Sequence, residues 1–188
     1  MLIIYAHPNK DGHCGQILKI VEDSFKEKSI DYELVDLYDI GYNPVLKPEE
    51  HYTSGHREIS PENFKMQEKI KNTDKFIFIY PNWWSGPPAI LKGFIDRVFT
   101  SRFAFYYENG LPKPLLSGKA SVIISMGSPR IISMLLFNDN SVKFLTHYVL
   151  KFCGVKAKGF IIDSANKLTE KQKRKTLKNV EKAIRYIM

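Results

Sequence analysis

The chain has few cysteines and no long hydrophobic run. Its 188 residues include only two cysteines, Cys14 and Cys153, which lie far apart in the sequence. They lack the short spacing of a metal-binding motif, so we expect both thiols to be reduced. No stretch is apolar over a length that could span a bilayer, and the first residues lack the features of a secretion signal. These absences predict a cytoplasmic protein without a transmembrane segment.

Histidines and cysteines are also too sparse for a metal site. His7, His13 and Cys14 lie near one another, and His51 and His56 form a second pair. Neither group has the further ligand at a usable spacing that a closed metal site needs. We therefore interpret both groups as parts of polar loops and expect no bound metal.

Positive charge, in contrast, is abundant. The chain has 28 Lys and Arg against 20 Asp and Glu, which gives a formal net charge of +8. Such an excess suits nucleic acid, an anionic membrane surface or anionic small molecules. The basic residues are densest between Lys167 and Arg185, where apolar residues keep a helical spacing. A solvated helix face explains this pattern better than a nucleic-acid patch, so we expect no nucleic-acid partner.

Short apolar runs alternate with helical patterns five times along the chain. The predicted strands are Met1–Ala6, Tyr32–Leu37, Phe76–Tyr80, Lys119–Ser125 and Lys158–Asp163. Repeated βα units form a parallel sheet that helices cover on both faces. We therefore predict one α/β domain over residues 1–188, with a five-stranded parallel sheet of order 2-1-3-4-5. In this order the loops after the first, third and fourth strands converge; they are His7–Cys14, Pro81–Pro87 and Met126–Arg130.

The third strand and the segment after it carry the strongest signal. Phe76–Tyr80 is an unbroken apolar run, typical of a strand buried on both faces. Pro and Gly punctuate Pro81–Pro87, and a helical apolar period begins at Pro88. The loop thus lies at the carboxyl end of a buried strand, where open α/β sheets bind ligands. Its two tryptophans offer a flat apolar wall, which suits a planar heteroaromatic ligand.

The residues from Pro81 to Phe99, followed by Phe103-Ala104-Phe105, closely resemble the flavin-dependent NAD(P)H:quinone oxidoreductases. This family includes DT-diaphorases, bacterial modulators of drug activity and ancillary subunits of potassium-efflux systems. The resemblance implies a flavodoxin-like three-layer sandwich. It also implies a homodimer that binds FMN, or alternatively FAD, and uses NAD(P)H as cosubstrate.

The resemblance also assigns roles to residues of the three converging loops. The implied cofactor-binding residues are His7, Gly12, His13, Cys14, Pro81, Asn82, Trp83, Trp84, Ser85, Met126, Gly127 and Ser128. The first loop precedes a helix N-terminus, whose free N–H groups and dipole favour a phosphate. The implied substrate contacts are Phe105 and Tyr107, which reach across the dimer interface in the family. Arg130 is a candidate contact for a nicotinamide phosphate, with a plain surface residue as the alternative.

The loop after the fourth strand departs from the family pattern. Mammalian members have a Tyr and a His there that assist charge transfer, and these positions hold Ile131 and Phe137 in this chain. Hydride transfer between stacked rings needs no protein proton carrier, so the activity is still expected. The expected reaction passes hydride from NAD(P)H through the flavin to a quinone or similar electrophile, one substrate after the other, by a ping-pong mechanism.

Two other functions remain open from the sequence. One is a flavin-binding ancillary subunit of a potassium-efflux transporter, which would be a peripheral partner. The other is a one-electron carrier similar to flavodoxin. Such carriers are typically acidic, so the net charge of +8 argues against the second.

Overall fold

The computed structural model describes residues 1–51, 58–165 and 169–188, with the backbone but not the side chain of Phe137. His56 and Lys167 lie outside the described residues. The strands are β1 (Leu2–Tyr5), β2 (Glu33–Asp36), β3 (Lys75–Pro81), β4 (Phe105–Glu108), β5 (Leu111–Pro114), β6 (Lys119–Ser125) and β7 (Lys156–Ile162). The helices are α1 (His13–Glu27), α2 (Pro61–Lys71), α3 (Ala89–Val98), α4 (Arg130–Phe137), α5 (Asn140–Lys143) and α6 (Glu170–Ile187). A 3-10 turn spans Pro48–Glu50, and a π-helical segment spans Phe144–Lys151.

Five strands form one parallel sheet in the order β2-β1-β3-β6-β7. Strand β1 pairs on both sides, since Ile4 lies opposite Val35 of β2 and Phe78 of β3. The predicted five-stranded parallel sheet is therefore confirmed. The strand numbers differ from the predicted order because the sequence analysis did not include β4 and β5, which form a separate two-stranded sheet.

Helices cover both faces of the sheet, and alternate residues of each strand point to opposite faces. Ile77 and Ile79 of β3 pack with α1 and α6, represented by Phe25 and Ile184. Their neighbours Phe76, Phe78 and Tyr80 belong to the other core, with residues of α2, α3 and the π-helical segment. Because β3 is apolar on both faces, it lies in the centre of the sheet and holds the following loop at its carboxyl edge.

The long connection after β2 is attached to α3 by a buried ion pair. Arg97 and Glu50 expose only 2% and 6% of their side chains and are joined by two hydrogen bonds, of 2.8 and 2.7 Å. Arg97 also donates to the backbone carbonyl of Asn43 and lies 5.5 Å from the ring centre of Tyr42. The bidentate geometry satisfies both charged groups inside the protein.

The sequence predicts two helix starts, one with Ser60 as N-cap before Pro61 and one with a capping box over Thr169–Gln172, and the structure has both. The Ser60 hydroxyl accepts a hydrogen bond from the Asn63 N–H at 3.3 Å, and Pro61 is the first residue of α2. The Thr169 hydroxyl accepts from the Gln172 N–H at 3.2 Å at the start of α6. Of the helices within the described residues, none is long and apolar enough to cross a membrane.

Candidate functional site

The three predicted loops meet at the carboxyl edge of the sheet. The Asn82 N–H, just after β3, donates to the Ser125 carbonyl at the end of β6 over 2.7 Å. The His7 ring, just after β1, lies 5.9 Å from the Trp83 ring, measured between centroids. The Cys14 thiol at the start of α1 contacts the Ser125 hydroxyl. We call this region, formed by residues 7–14, 81–86 and 126–128, the crevice.

The first loop folds on itself and leaves the start of α1 uncapped. The His7 Nδ1 atom accepts the Asn9 N–H at 3.0 Å, and the Asn9 side chain accepts the Asp11 N–H at 2.7 Å. Gly12 is the N-cap and provides no side-chain hydrogen bond to the first turn. The N–H groups of that turn therefore remain available to an anion, which the helix dipole also favours.

Close packing of this loop on α1 requires a glycine. A Cβ atom placed on Gly15 would lie 1.7 Å from the carbonyl oxygen of Lys10. The loop backbone thus rests directly on the first turn of the helix. This contact positions the loop above the free N–H groups.

Acidic residues at the end of β2 hold the side chain of Lys10. Its ammonium lies 2.8 Å from the Asp36 carboxylate and also pairs with Asp39. Hydrogen bonds to Asp36 and Asp39 raise the pKa of Lys10 to about 12, so the side chain stays charged. The lysine links the first loop to the loop after β2.

Several buried polar atoms around the crevice have no hydrogen-bond partner among the residues that the structure describes. They are the Tyr5 hydroxyl, His13 Nδ1, Gln16 Oε1 and Asn82 Oδ1. Burial lowers the pKa of His13, so its ring is neutral at pH 7 and can donate or accept one hydrogen bond at each nitrogen. Unpaired buried polar groups are costly in a folded protein, and their concentration beside one edge of the sheet indicates a polar ligand.

The tryptophan loop is a tight turn with an unusual backbone. Trp83 and Gly86 exchange N–H to carbonyl hydrogen bonds of 2.9 and 3.0 Å. The two residues between them, Trp84 and Ser85, have φ angles of +53° and +61°, as a type I′ turn requires. Neither residue favours positive φ, and such strain concentrates at binding sites. The turn leaves the Trp84 ring 102% exposed and Trp83 42% exposed.

The third loop is attached to the end of β7. Met126 is buried, while Gly127 and Ser128 are exposed. The Met126 and Ser128 carbonyls accept hydrogen bonds from Ala165 and Ser164, at 2.9 and 3.2 Å. Gly127 and Ser128 are therefore accessible to a ligand in the crevice, whereas the buried Met126 anchors the loop to the core.

Asp163 fixes the start of α4. Its carboxylate accepts the Arg130 N–H at 3.0 Å and pairs with Lys175. Burial raises the pKa of Asp163, but the hydrogen bonds from Lys175 and the Arg130 backbone outweigh it and hold the pKa below its usual value. The Arg130 guanidinium lies 3.1 Å from Asp139, at the other end of the same helix.

Side chains of two predicted cofactor contacts cannot reach a ligand directly. Cys14 is 1% exposed, and burial raises the pKa of its thiol to about 12. Pro81, the last residue of β3, is also buried. Both positions can therefore contribute backbone groups to the crevice or support its wall, and their role in cofactor binding stays a prediction.

Phe105 and Tyr107 line a different cavity of their own chain. Their rings are 5.8 Å apart, and Phe105 also packs on Phe152 at 4.9 Å. The cavity has a volume of about 550 Å³ and includes Arg97 and Phe99 in its wall. Neither aromatic residue is in the wall of the crevice formed by its own chain, so a role at a flavin site would require a second subunit.

The sequence analysis missed Lys10, Gln16, Asp36 and Asp163. Lys10 lies in the predicted loop after the first strand, and Asp163 is the last residue of the fifth predicted strand, so their positions at the ligand-binding edge could have been inferred from topology. Gln16 and Asp36 carried no such signal, since a polar residue in a helix or at a strand end is ordinary.

Comparisons with known proteins agree with this fold. The family model Flavodoxin_2, described as a flavodoxin-like fold, matches residues 1–186. A Haemophilus influenzae protein named as an uncharacterized NAD(P)H oxidoreductase is 38% identical over 130 residues, covering 68% of this chain and 64% of that protein. The match thus spans less than two thirds of that relative.

Longer matches extend over nearly the whole chain. The human ribosyldihydronicotinamide dehydrogenase (quinone) is 27% identical over 201 residues, covering 93% of this chain and 85% of that protein. The crystal structure of Smu.1420 from Streptococcus mutans has a TM-score of 0.82 at 33% identity and covers 97% of both chains. The chain therefore belongs to the Flavodoxin_2 family, and the predicted resemblance to the flavin-dependent NAD(P)H:quinone oxidoreductases is confirmed.

Proposed function

We propose that the chain is a cytoplasmic, single-domain flavoprotein that oxidises NAD(P)H and reduces a quinone or a similar electrophile. The two substrates would use the crevice in turn, which gives ping-pong kinetics. The proposed cofactor is FMN, with FAD as the alternative. The oxidoreductase names of the relatives support this activity and favour it over the ancillary-subunit alternative.

The observation that carries the proposal is the set of unsatisfied polar groups around the crevice. The uncapped start of α1 offers N–H donors, and His13, Gln16 and Asn82 each have a buried polar atom without a partner. A flavin mononucleotide has the matching groups, because it combines an anionic phosphate with a polar pyrimidine edge. The residues present therefore fit a flavin.

Each part of the crevice has a distinct task in this proposal. The N–H groups at the start of α1 bind the phosphate, and the charged Lys10 lies on the same loop. The exposed Trp84 ring covers one face of the ring system. Backbone N–H groups of Trp84 and Gly127 would serve its polar edge, where such donors stabilise negative charge. When bound, the flavin supplies the two-electron chemistry.

The chain has no titratable side chain at either of the two positions that differ from the mammalian members, because they hold Ile131 and Phe137. Ile131 is 64% exposed and has no titratable group. Protons that the acceptor needs must then come from solvent or from the acceptor's own surroundings. We therefore expect acceptor reduction to depend weakly on the pH range in which tyrosine and histidine side chains titrate.

A homodimer would complete the site. The exposed Tyr107 and the partly buried Phe105 lie on the β4–β5 hairpin, away from the crevice of their own chain. A C₂ dimer would bring them to the partner's crevice, where they would form the second wall of the substrate pocket. Light scattering on flavin-loaded protein tests this arrangement, and a monomer mass at micromolar concentration would contradict it.

The proposal is tested by isolating and identifying the cofactor. Protein expressed in a flavin-sufficient host should be yellow, and the mass of the extracted cofactor distinguishes FMN from FAD. The loaded protein should turn over NADH or NADPH catalytically only when a quinone or another electron acceptor is present. Protein that binds neither flavin when both are supplied in excess would refute the proposal.

A further inference from the structure

Three of the five strands of the parallel sheet begin with a lysine. These residues are Lys75 of β3, Lys119 of β6 and Lys156 of β7. The three strands are neighbours, and their register pairs Lys75 with Lys119 and Lys119 with Lys156. Side chains at paired positions leave the sheet on the same face. The three lysines therefore form a row along the amino edge of the sheet, which we call the lysine row.

The lysine row lines a cavity of about 490 Å³. The wall also includes Ser117 and Gly118, in the turn before β6, and the end of α6. A cavity of this size can enclose a small ligand. It lies at the start of the seven-residue strand β3, about 20 Å from the crevice at the other end of that strand. The cavity is therefore distinct from the crevice.

The charges of the lysine row are not neutralised within the described part of the chain. There, none of the three lysines forms an ion pair. Among the described residues of the wall, Asp74 has the one acidic side chain, so three cations face one carboxylate. Like charges at paired positions of neighbouring strands repel one another. An anion bound between the lysines would remove that repulsion.

The turn before β6 adds two backbone donors to the cavity. Among the residues that the structure describes, none accepts a hydrogen bond from the N–H of Ser117 or of Gly118. Gly118 has a φ of +108°, and a Cβ atom there would lie 2.2 Å from the carbonyl oxygen of Asp74. The turn thus needs a glycine to lie directly against the start of β3. Successive free N–H groups beside cations are typical of anion sites.

Stabilisation of the end of α6 does not account for the lysine row. Cations near the last turn of a helix interact favourably with its free carbonyl groups, and α6 ends at Ile187, in the wall of the cavity. Within the described residues, however, none of the three ammonium groups donates a hydrogen bond to a carbonyl of α6. Arg185 already provides a cation in the last turn of this helix. The lysine row is therefore available to a ligand.

We propose that the lysine row and the turn before β6 bind a chain of linked phosphate groups, such as inorganic tripolyphosphate. Neighbouring strands lie about 4.8 Å apart, so the row extends over about 10 Å from Lys75 to Lys156. A chain of phosphates can pair with the ammonium groups along this row, whereas a single phosphate would have to draw all three together. The described wall has no aromatic side chain on which a nucleobase could stack, which favours a phosphate chain without a base.

The test is calorimetric titration of the purified full chain with orthophosphate, pyrophosphate, tripolyphosphate and ATP. Excess FMN fills the proposed phosphate site of the crevice, and about 0.15 M salt screens charges more than about 8 Å apart. We expect affinity to rise with the number of linked phosphates, and ATP to bind no more tightly than tripolyphosphate. Lys119→Gln/Lys156→Gln should weaken tripolyphosphate binding by at least about tenfold, because it removes two charge-assisted contacts.

The matched control is Lys182→Gln/Arg185→Gln, which removes two positive charges from a different groove beside α6. This variant should bind tripolyphosphate within about twofold of the unmodified chain, because its charges lie outside the cavity. Circular dichroism should be unchanged in both variants. Flavin binding is measured separately by fluorescence, and its absence would contradict the proposed function without affecting this site.

Several outcomes would overturn the phosphate-chain site. They are an absence of tripolyphosphate binding, equal affinity for orthophosphate and tripolyphosphate, and tighter binding of ATP than of tripolyphosphate. Full binding by Lys119→Gln/Lys156→Gln would also overturn it. So would equal losses in the two double variants, because binding would then follow the net charge of the chain and not the lysine row.

Discussion

Replacing Trp84 by alanine should weaken flavin binding without weakening the fold. The side chain is 102% exposed, so its removal deletes no packing within the chain. Substitutions of this kind usually change the free energy of unfolding by less than about 0.5 kcal/mol. The melting temperature of the flavin-free protein should therefore stay close to that of the unmodified chain.

The loss of flavin affinity follows from the area that the ring would cover. One face of a tryptophan contributes about 100 Å², or about 2.5 kcal/mol if it is buried completely. Stacking adds about 0.5–1.5 kcal/mol. Part of this area stays covered after truncation, so we expect a dissociation constant at least about tenfold higher, equivalent to about 1.4 kcal/mol.

The assay is a titration of flavin fluorescence, paired with thermal melting followed by circular dichroism. Phe64→Ala is the matched control, because it removes an exposed aromatic ring on α2, at 56% exposure. A folded Trp84→Ala protein with unchanged flavin affinity would show that the ring system binds elsewhere. A large drop in the melting temperature of the flavin-free protein would contradict the observed exposure of this side chain.

Four further predictions concern buried groups. Arg97→Met should lower the free energy of unfolding by about 3–5 kcal/mol, because it leaves the buried Glu50 carboxylate unpaired. The double variant Arg97→Met/Glu50→Gln should recover much of that loss, and urea unfolding measures both values. Burial raises the pKa of the Glu50 carboxyl, but its hydrogen bonds, chiefly that from Arg97, outweigh burial and hold the pKa below the usual 4.5. The stability that this pair contributes is therefore complete above pH 4.5 and is lost as the pH falls through the pKa of the folded state. Glu50→Gln should flatten this dependence of stability on acid pH, and an unchanged profile would be evidence against this account of the pair. Burial raises the pKa of both Cys14 and Cys153 to about 12, so a thiol reagent should label neither at neutral pH until the chain unfolds. Gly15→Ala should destabilise the protein and weaken flavin binding together, since its Cβ would lie 1.7 Å from a backbone oxygen; a stable variant with full affinity would show that the loop can move aside.

The buried strands could be predicted because their sequences admit few alternatives. Leu2–Tyr5 and Phe76–Tyr80 are apolar on both faces, which suits a central parallel strand and little else. The meeting of the three loops then followed from the order of the sheet. Proline and the capping residues Ser60 and Thr169 fixed helix starts within a residue.

The hairpin and the π-helical segment could not be predicted in the same way. All residues from Tyr106 to Pro114 are exposed, so β4 and β5 do not show the alternation of apolar and polar residues that marks a half-buried strand. The sequence predicts an irregular segment over Thr100–Gly118, and the structure instead places β4 and β5 there. The segment Phe144–Lys151 has apolar residues that suit an ordinary helix, and nothing in this pattern indicates its π-helical form.

Details of the site depended on backbone angles that a sequence does not display. The positive φ of Trp84 and Ser85 is the clearest example, because neither residue type favours it. The outward orientation of α4 is another. The sequence predicts that Met126–Asn140 begins as a loop, and the structure has a helix over Arg130–Phe137 with apolar residues exposed.

The turn between Trp83 and Gly86 also allows ligand binding at the crevice to be followed by intrinsic tryptophan fluorescence. The chain has two tryptophans, and both belong to this turn. Emission excited selectively from tryptophan therefore originates at the crevice, with no background from the rest of the fold. A ligand that absorbs in the blue, placed beside these rings, would quench that emission by energy transfer. Occupancy of the crevice could then be followed in real time, in unlabelled protein, during mixing with any candidate molecule.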